Sequence, residues 1–265
     1  MNAKKGKARE MKPKLHIASC SFGKDSIATI LLALENNEPL DRVVFSEVMF
    51  DNERGISGEM PEHIEWIYNT AIPKLEDMGV KVDMVRAKYD YKCLCNKVLG
   101  SGKKQGQKYG HQNCKPCYAN SNLKIAPIKS YLSKMRKDFD IVQYVGIAID
   151  EPIRLARLRG TNKVSLLQKY EYTEQMAMDK CKEYNLVSPL YSMGHRGGCW
   201  FCFNANLERY IHIRKKHPEY WQALKELYYE TNSNYFKFNK KLQEIEREMD
   251  ALEYFNNNQL KLLFD

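Results

Sequence analysis

Short apolar runs alternate along the chain with stretches whose apolar residues recur every three or four positions. Residues 15–20 (Leu-His-Ile-Ala-Ser-Cys) suit a buried strand. A glycine-containing turn separates them from an apolar helical stretch at 26–36, which Asn36-Asn37-Glu38-Pro39 stops. Residues 42–50 are β-branched and aromatic and predict a second strand. Ile64, Ile67, Tyr68, Ala71 and Leu75 place a helix over 62–78 with a kink at Pro73, and 80–85 predict a third strand. The pattern resumes with a strand at 141–149, a helix at 173–184 and a short extended piece at 186–190.

Such alternation is the signature of parallel βαβ units. The expected fold class is α/β: one domain over 15–203 with a mostly parallel five-stranded sheet flanked by helices. A helical C-terminal extension over 204–265 follows, with Trp221, Leu224, Leu227 and Tyr228 on one core-facing stripe. Residues 86–137 break the alternation and read as an insertion. Within it, residues 100–110 form a turn-rich loop with four glycines.

Composition excludes some classes. With 43% hydrophobic and 28% charged residues over 265 positions, the chain is neither disordered nor collagen-like. Its longest largely apolar run, residues 27–34, falls well short of the ~20 residues a membrane helix needs. The charged N-terminus lacks a signal-like apolar segment, so the expected location is the cytoplasm, away from any membrane.

The net charge of +9 is unevenly spread. Residues 1–14, read as a basic flexible arm, carry +5, and residues 15–85 carry −8. Residues 86–137 carry +12 and the remainder is neutral. A concentrated basic block points to a polyanionic partner, and a nucleic acid at 86–137 is the expected one. Tyr89, Tyr91, Tyr109 and Tyr118 interleave with the lysines there as stacking residues would.

The strongest chemical signal is Ser21-Phe22-Gly23-Lys24-Asp25-Ser26, between the first strand and the first helix. Open parallel sheets bind ligands at that junction, where helix amides and the helix dipole favour an anion. Gly23 lets backbone approach a phosphate, Ser21 and Ser26 offer hydroxyls, and Lys24 offers charge. The segment is neither a Walker A loop nor a dinucleotide fingerprint. Glu47, Asp51, Asp150, Glu151, Arg154 and Arg157 fall at or beyond predicted strand ends. Arg154 and Arg157 are placed to grip a phosphate, and Asp51 or Asp150 to hold Mg²⁺.

The 21–26 loop resembles the pyrophosphate-binding loop of the ATP pyrophosphatase, or adenine nucleotide alpha hydrolase, superfamily. Its Phe22 is similar to the phosphoadenosine phosphosulfate (PAPS) reductase branch. Phe50-Asp51-Asn52, Met60-Pro61-Glu62, Cys117 with Leu123-Lys124 and Pro127, Gly146-Ile147 with Asp150-Glu151 and Arg154, and Ser188-Pro189-Leu190 resemble later elements of that branch, in order. The resemblance covers about residues 15–202 and implies an adenine nucleotide alpha hydrolase-like fold. It also implies an enzyme that binds ATP or a sulfonucleotide and transfers a nucleotidyl or sulfur group. Lys24, Asp25, Asp150 and Arg154 take catalytic positions in that reading. Ser19, Ser21, Phe22, Gly23, Ser26, Glu47, Asp51, Lys124, Gly146, Glu151 and Arg157 take nucleotide positions. Two departures count against a sulfonucleotide reductase. Ala148 stands where the family often carries an arginine, and no cysteine follows Cys202. The alternatives are that reductase or a non-catalytic nucleic-acid-binding module.

Eight cysteines include two Cys-x-x-Cys pairs, Cys114/Cys117 and Cys199/Cys202. Two such pairs can complete a four-thiolate site for Zn²⁺ or an iron–sulfur cluster. The gap between them far exceeds that of a compact zinc ribbon, so the fold must bring them together. Cys93 with Cys95 is a third candidate pair, while Cys20 and Cys181 read as buried thiols. Relatives that thiolate tRNA or DNA carry a cysteine-bound [4Fe–4S] cluster, so the resemblance tilts the choice toward iron–sulfur and implies a sulfur donor protein as partner.

Overall fold

The computed structural model describes residues 12–102 and 105–264. Strand β1 (Lys14–Cys20) runs through the 21–26 loop into α1 (Lys24–Glu35), then β2 (Arg42–Glu47). A hairpin of β3 (Met49–Asp51) and β4 (Ile56–Ser57) leads to α2 (Pro61–Trp66), α3 (Ile72–Asp77) and β5 (Val82–Arg86). Helices α4 (Tyr91–Asn96) and α5 (Ala126–Met135) precede β6 (Asp140–Val145). Then come α6 (Pro152–Ala156), β7 (Lys163–Val164), α7 (Leu166–Lys169) and α8 (Glu174–Glu183). The chain ends in α9 (Leu207–Lys216), α10 (Pro218–Glu230) and α11 (Leu242–Phe264). Residues 1–11 of the basic arm, and Lys103 and Lys104, lie outside the described residues. No described helix is long and apolar enough to cross a membrane.

The five-stranded sheet has the order β5-β2-β1-β6-β7, and every pairing in it is parallel. Its register sets Ser19 of β1 beside Val44 of β2 and Val145 of β6. The chain winds outward from β1 through β2 to β5, then returns to place β6 on the other side of β1. That reversal makes the β1/β6 boundary the topological switch point, where open α/β sheets bind ligands. The α/β class and the parallel five-stranded sheet flanked by helices are therefore as expected.

Details differ from the sequence reading for identifiable reasons. The fifth strand is β7, not residues 186–190. Pro189 and the Ser188 hydroxyl, which accepts from the Leu190 amide, turn that piece into a single 3₁₀ turn. The strand predicted at 141–149 ends at Val145, and the one at 42–50 splits into β2 and β3. The expected kink at Pro73 takes the form of a π-helical turn, Ile67–Ala71, just before α3. A second π turn, Asn120–Ile125, precedes Pro127 in the same way. Proline removes an amide donor and crowds the carbonyl four residues earlier, and one wider turn relieves that crowding. The 86–137 stretch does not interrupt the alternation. Its helix α5 is the crossover from β5 to β6, burying Leu132 against Leu15, Ile17, Val44 and Ile141.

Two larger cores flank that small one. On the other face of the sheet, Ile27, Ile30 and Leu31 of α1 pack with Val43, Phe45, Ile67, Leu75, Leu166 and Ala177. The other joins Phe50, Ile56, Tyr91, Leu94, Leu123, Trp200 and Phe201 to Tyr210, Trp221, Leu224 and Met249 of the C-terminal helices and to Phe236 in the loop between α10 and α11. Segment 204–265 thus shares its core with the β3–β4 hairpin and with 86–137. Tyr91 is fully buried there, so it is a packing residue and not a stacking platform, whereas Tyr89 and Tyr109 are exposed.

His111 lies in that core, its Nδ1 3.1 Å from the Tyr91 hydroxyl and its ring stacked on Phe236. Burial pushes its pKa down to about 3. Between the unfolded value of ~6.5 and that value, only the unfolded chain takes up this proton. This contribution to stability is therefore complete above pH ~6.5 and is lost as the pH falls toward 3. The melting temperature should drop less between pH 7 and pH 4 for His111→Phe than for the wild type, measured by circular dichroism.

Candidate functional site

The 21–26 loop leaves the sheet in a strained conformation. Phe22 is left-handed (φ 57°), and its buried ring packs edge-on against Phe45 at 5.1 Å. A non-glycine residue there costs energy, which the buried ring offsets. The Ser26 hydroxyl then knots the turn, accepting from the Ser21 amide at 3.3 Å and donating to the Gly23 carbonyl at 2.9 Å. His63 supports it from α2, with Nε2 3.2 Å from the Ser21 carbonyl and Nδ1 2.8 Å from the Ser188 hydroxyl. Burial holds the His63 pKa down, which favours the neutral ring in this bridging role. Nothing in the local sequence marks His63, since its partners are far away along the chain.

Gly146, at the end of β6, faces the start of α1. A Cβ there would lie 2.6 Å from the Asp25 carbonyl carbon and 2.7 Å from the Ser26 nitrogen, both backbone atoms that cannot move aside. Glycine at this position lets the helix N-terminus press against the switch point.

The loop opens on a cavity of about 530 Å³, lined by Ser21, Gly23, Lys24, Asp25, Lys124, Glu151 and Arg154 among others. A smaller adjoining cavity of about 350 Å³ lies over the ends of β1 and β6, lined by Ser19, Ser26, Ile128, Val145, Gly146 and Ile147. Ser21, Gly23, Asp25, Lys124 and Arg154 border both. The Ser19 hydroxyl accepts from Gln143 at 2.6 Å. Phe22 is in the core and acts on the loop's shape only.

Charge in the larger cavity is balanced. Lys24 Nζ lies 2.7 Å from Asp25 and 2.8 Å from Glu174. Burial disfavours its charge, but the hydrogen bonds to both acids outweigh that and leave its pKa raised. Burial raises the Asp25 pKa, with Glu174 and Glu151 adding to it against the pull of Lys24. The Lys24 amide donates to the Tyr191 hydroxyl at 2.9 Å. Lys124 pairs with buried Glu59 at 3.4 Å, and Arg154 pairs with Glu151. Glu59, Glu174, Tyr191, His195 and Arg196 were not legible as site residues, because segments distant along the chain deliver them.

Several expected site residues are placed elsewhere. Glu47 accepts from Tyr68 at 2.6 Å and Arg86 at 2.5 Å and lines neither cavity. Asp51 is buried and accepts from the Glu53 and Arg54 amides and from Lys92 at 3.1 Å. Asp150 accepts from the Glu174 amide at 3.2 Å and so caps α8. Arg157 is exposed on the turn beyond α6 and does not join Arg154. The carboxylates that face the cavity from the loop side are Asp25, Glu151 and Glu174, and these replace Asp51 and Asp150 as the group able to hold Mg²⁺ beside phosphates.

Cys117, Cys199 and Cys202 pack against the same core, close enough that Cys202 adds to burial in raising the thiol pKa of both Cys117 and Cys199. Cys199 pairs with Glu59 through a bridge of backbone, next to Gly198 in a left-handed conformation (φ 128°). Cys114 is exposed and stays out of the group. Buried Gln112 donates to the carbonyls of Cys114 and Pro116, folding 113–116 outward. Of the four expected ligands, Cys117, Cys199 and Cys202 pack against this core and Cys114 is exposed. Among the described residues, no three thiols lie within 4.8 Å of one another. Tetrahedral zinc with ~2.3 Å bonds needs sulfurs roughly 3.8 Å apart. A cluster whose ligands bind different iron atoms accepts a wider triangle.

No family model matches the chain, and no curated protein matches it. Among solved structures, the U34-tRNA thiolase NcsA from Methanococcus maripaludis, solved with its [4Fe-4S] cluster, is similar at 13% identity. The match covers 84% of this chain and 72% of that one, with a TM-score of 0.39. A likeness of that strength assigns no activity.

Replacing Gly146 by alanine should destabilise the fold by about 1–3 kcal/mol, the usual cost of overpacking against fixed backbone. Urea unfolding measures this, and a variant as stable as the wild type would refute the proposed close approach.

Proposed function

We propose that the chain is a PP-loop enzyme of the PAPS reductase kind, which binds ATP or a related adenine nucleotide and transfers a nucleotidyl or sulfur group. The observation that carries this reading is the 21–26 loop at the β1/α1 junction, opening on a cavity at the switch point of a parallel sheet. The smaller, partly apolar cavity over β1 and β6 suits the adenosine, and the larger polar one suits the phosphates with Mg²⁺ on Asp25, Glu151 or Glu174. An acceptor oxygen attacks the α-phosphorus, and pyrophosphate departs with the bridging oxygen. A sulfur nucleophile then displaces AMP from the activated carbon. Lys24, Lys124, Arg154 and the loop amides neutralise the charge that builds on the leaving pyrophosphate. Nucleotide binding must break the Lys24 pairs with Asp25 and Glu174 and displace the Tyr191 hydroxyl from the Lys24 amide.

The three thiols, gathered against one core, are read as ligands of an iron–sulfur centre. Cys117, Cys199 and Cys202 would hold it, with Lys124 near Cys199 to offset thiolate charge. Such a centre would supply iron able to carry sulfur. A nucleic-acid acceptor is favoured by the +12 segment. Exposed Tyr89 lies there with Arg86, Lys88 and Lys134 around a third cavity of about 480 Å³.

Lys24→Ala should cut pyrophosphate release from ATP by about 10²–10³-fold, the cost of removing one preorganised charge-stabilising donor. Unchanged release would remove the loop from the mechanism. In anaerobic protein, Cys199→Ser should lose iron and labile sulfide while Cys114→Ser retains both. Equal iron in all three proteins would rule out the three-thiol centre. Binding to RNA should weaken steeply with salt if the basic segment meets phosphates.

A further inference from the structure

Away from the phosphate cavity, three side chains from separate elements meet at one point. Glu62 lies in the first turn of α2, His212 on α9, and His217 at the junction of α9 and α10. Both imidazoles aim Nε2 at the same carboxylate oxygen. His212 Nε2 is 2.5 Å and His217 Nε2 is 3.0 Å from Glu62 Oε1. Among the described residues, these are the only three or more His, Cys, Asp or Glu ligand atoms within 4.8 Å of one another.

Hydrogen bonding alone leaves part of the cluster unexplained. Glu62 Oε2 is buried and has no hydrogen-bond partner among the described residues. Buried carboxylate oxygens are ordinarily satisfied. The three side chains are still 21%, 19% and 23% exposed for Glu62, His212 and His217, so an ion has a path in. Two imidazoles and a carboxylate at metal-bond lengths of 2.0–2.2 Å stand roughly 3.4 Å apart in a tetrahedron. The two His–Glu62 separations need to open by less than ~1 Å to reach that value. His217 Nδ1 lies 4.0 Å from the Glu219 carboxylate.

We infer that Glu62, His212 and His217 bind a divalent transition-metal ion, Zn²⁺ or a close analogue, with a fourth position open to solvent. The nitrogen-rich donor set disfavours Mg²⁺ and Ca²⁺. The site touches the phosphate cavity through one side chain. The His195 ring is 5.5 Å from that of His212 and lines the cavity wall. The inference stands independently of the nucleotide reading.

Cobalt titration of the metal-free 265-residue chain tests it. Thiolate-bound Co²⁺ shows intense near-ultraviolet charge transfer, whereas a His/carboxylate site shows only the weaker visible bands. The expected result is one equivalent of Co²⁺ with visible bands that persist in Cys199→Ser, and two exchangeable, paramagnetically shifted imidazole N–H signals. His212→Gln and His217→Gln keep a donor to Glu62 and so preserve the local hydrogen bond. Each should weaken cobalt binding by at least the ~10-fold that losing even an outer partner costs. Cobalt bound only through thiols, or bands unchanged in both glutamine variants, would overturn the site. The wild-type spectrum decides the matter even if a variant does not fold.

Discussion

The start of α1 and the end of β6 come within a distance that excludes any side chain at residue 146. With a Cβ only 2.6 Å from backbone carbon, the helix would have to withdraw from the sheet. Because it does not, the amides of the 21–26 loop sit over the β1/β6 boundary. The two cavities then share Ser21, Gly23, Asp25, Lys124 and Arg154 along their border. The strain at Phe22, the Ser26 knot and the His63 bridge all maintain that placement.

Charge works against the same site in the ligand-free state. The loop belongs to the acidic part of the chain, and its lysine is held by two carboxylates. An anionic ligand therefore gains only the difference between its own contacts and those it replaces. Across the whole lining the charges balance, with Lys24, Lys124, Arg154 and Arg196 against Asp25, Glu59, Glu151 and Glu174. Half-buried Lys124 and buried Glu59 extend the same balance toward Cys199. The cavity at the 21–26 loop and the cysteine group thus share one electrostatic environment.

The C-terminal helices connect these parts. Trp200 donates from its indole N–H to the Ser57 carbonyl at 2.8 Å and packs on Phe50 at 4.7 Å. This fixes the strip containing Cys199 and Cys202 against the β3–β4 hairpin. Tyr210 donates to the Cys202 carbonyl at 2.6 Å from α9. The helix that carries His212 therefore also steadies the cysteine strip. Removing the helical segment would unsupport the thiols as well as the second core.

The sequence alone determined what depends on neighbours a few residues apart. Apolar runs of strand length, helix stops at Asn and Pro, and a serine- and glycine-rich junction revealed the α/β class, the parallel sheet and the β1/α1 loop that opens on the cavity. Local signals also marked Lys24, Asp25, Glu151 and Arg154, and the family resemblance marked Lys124; all five face the cavity. Tertiary structure decided whatever depends on distance through space. The edge strand β7 is two exposed residues long and carries no alternation to read. Glu47, Asp51 and Asp150 look alike in sequence to the acids that face the cavity, and only packing assigned them to Arg86, Lys92 and the α8 cap. Cys114 shares its motif with Cys117, yet the buried amide of Gln112 turns it outward. His212 and His217, five residues apart, would point in different directions on one continuous helix. The break between α9 and α10 at His217 (φ −134°, ψ 60°) brings both to Glu62. Periodicity encodes which face of an element is buried, but not which distant element will cover it.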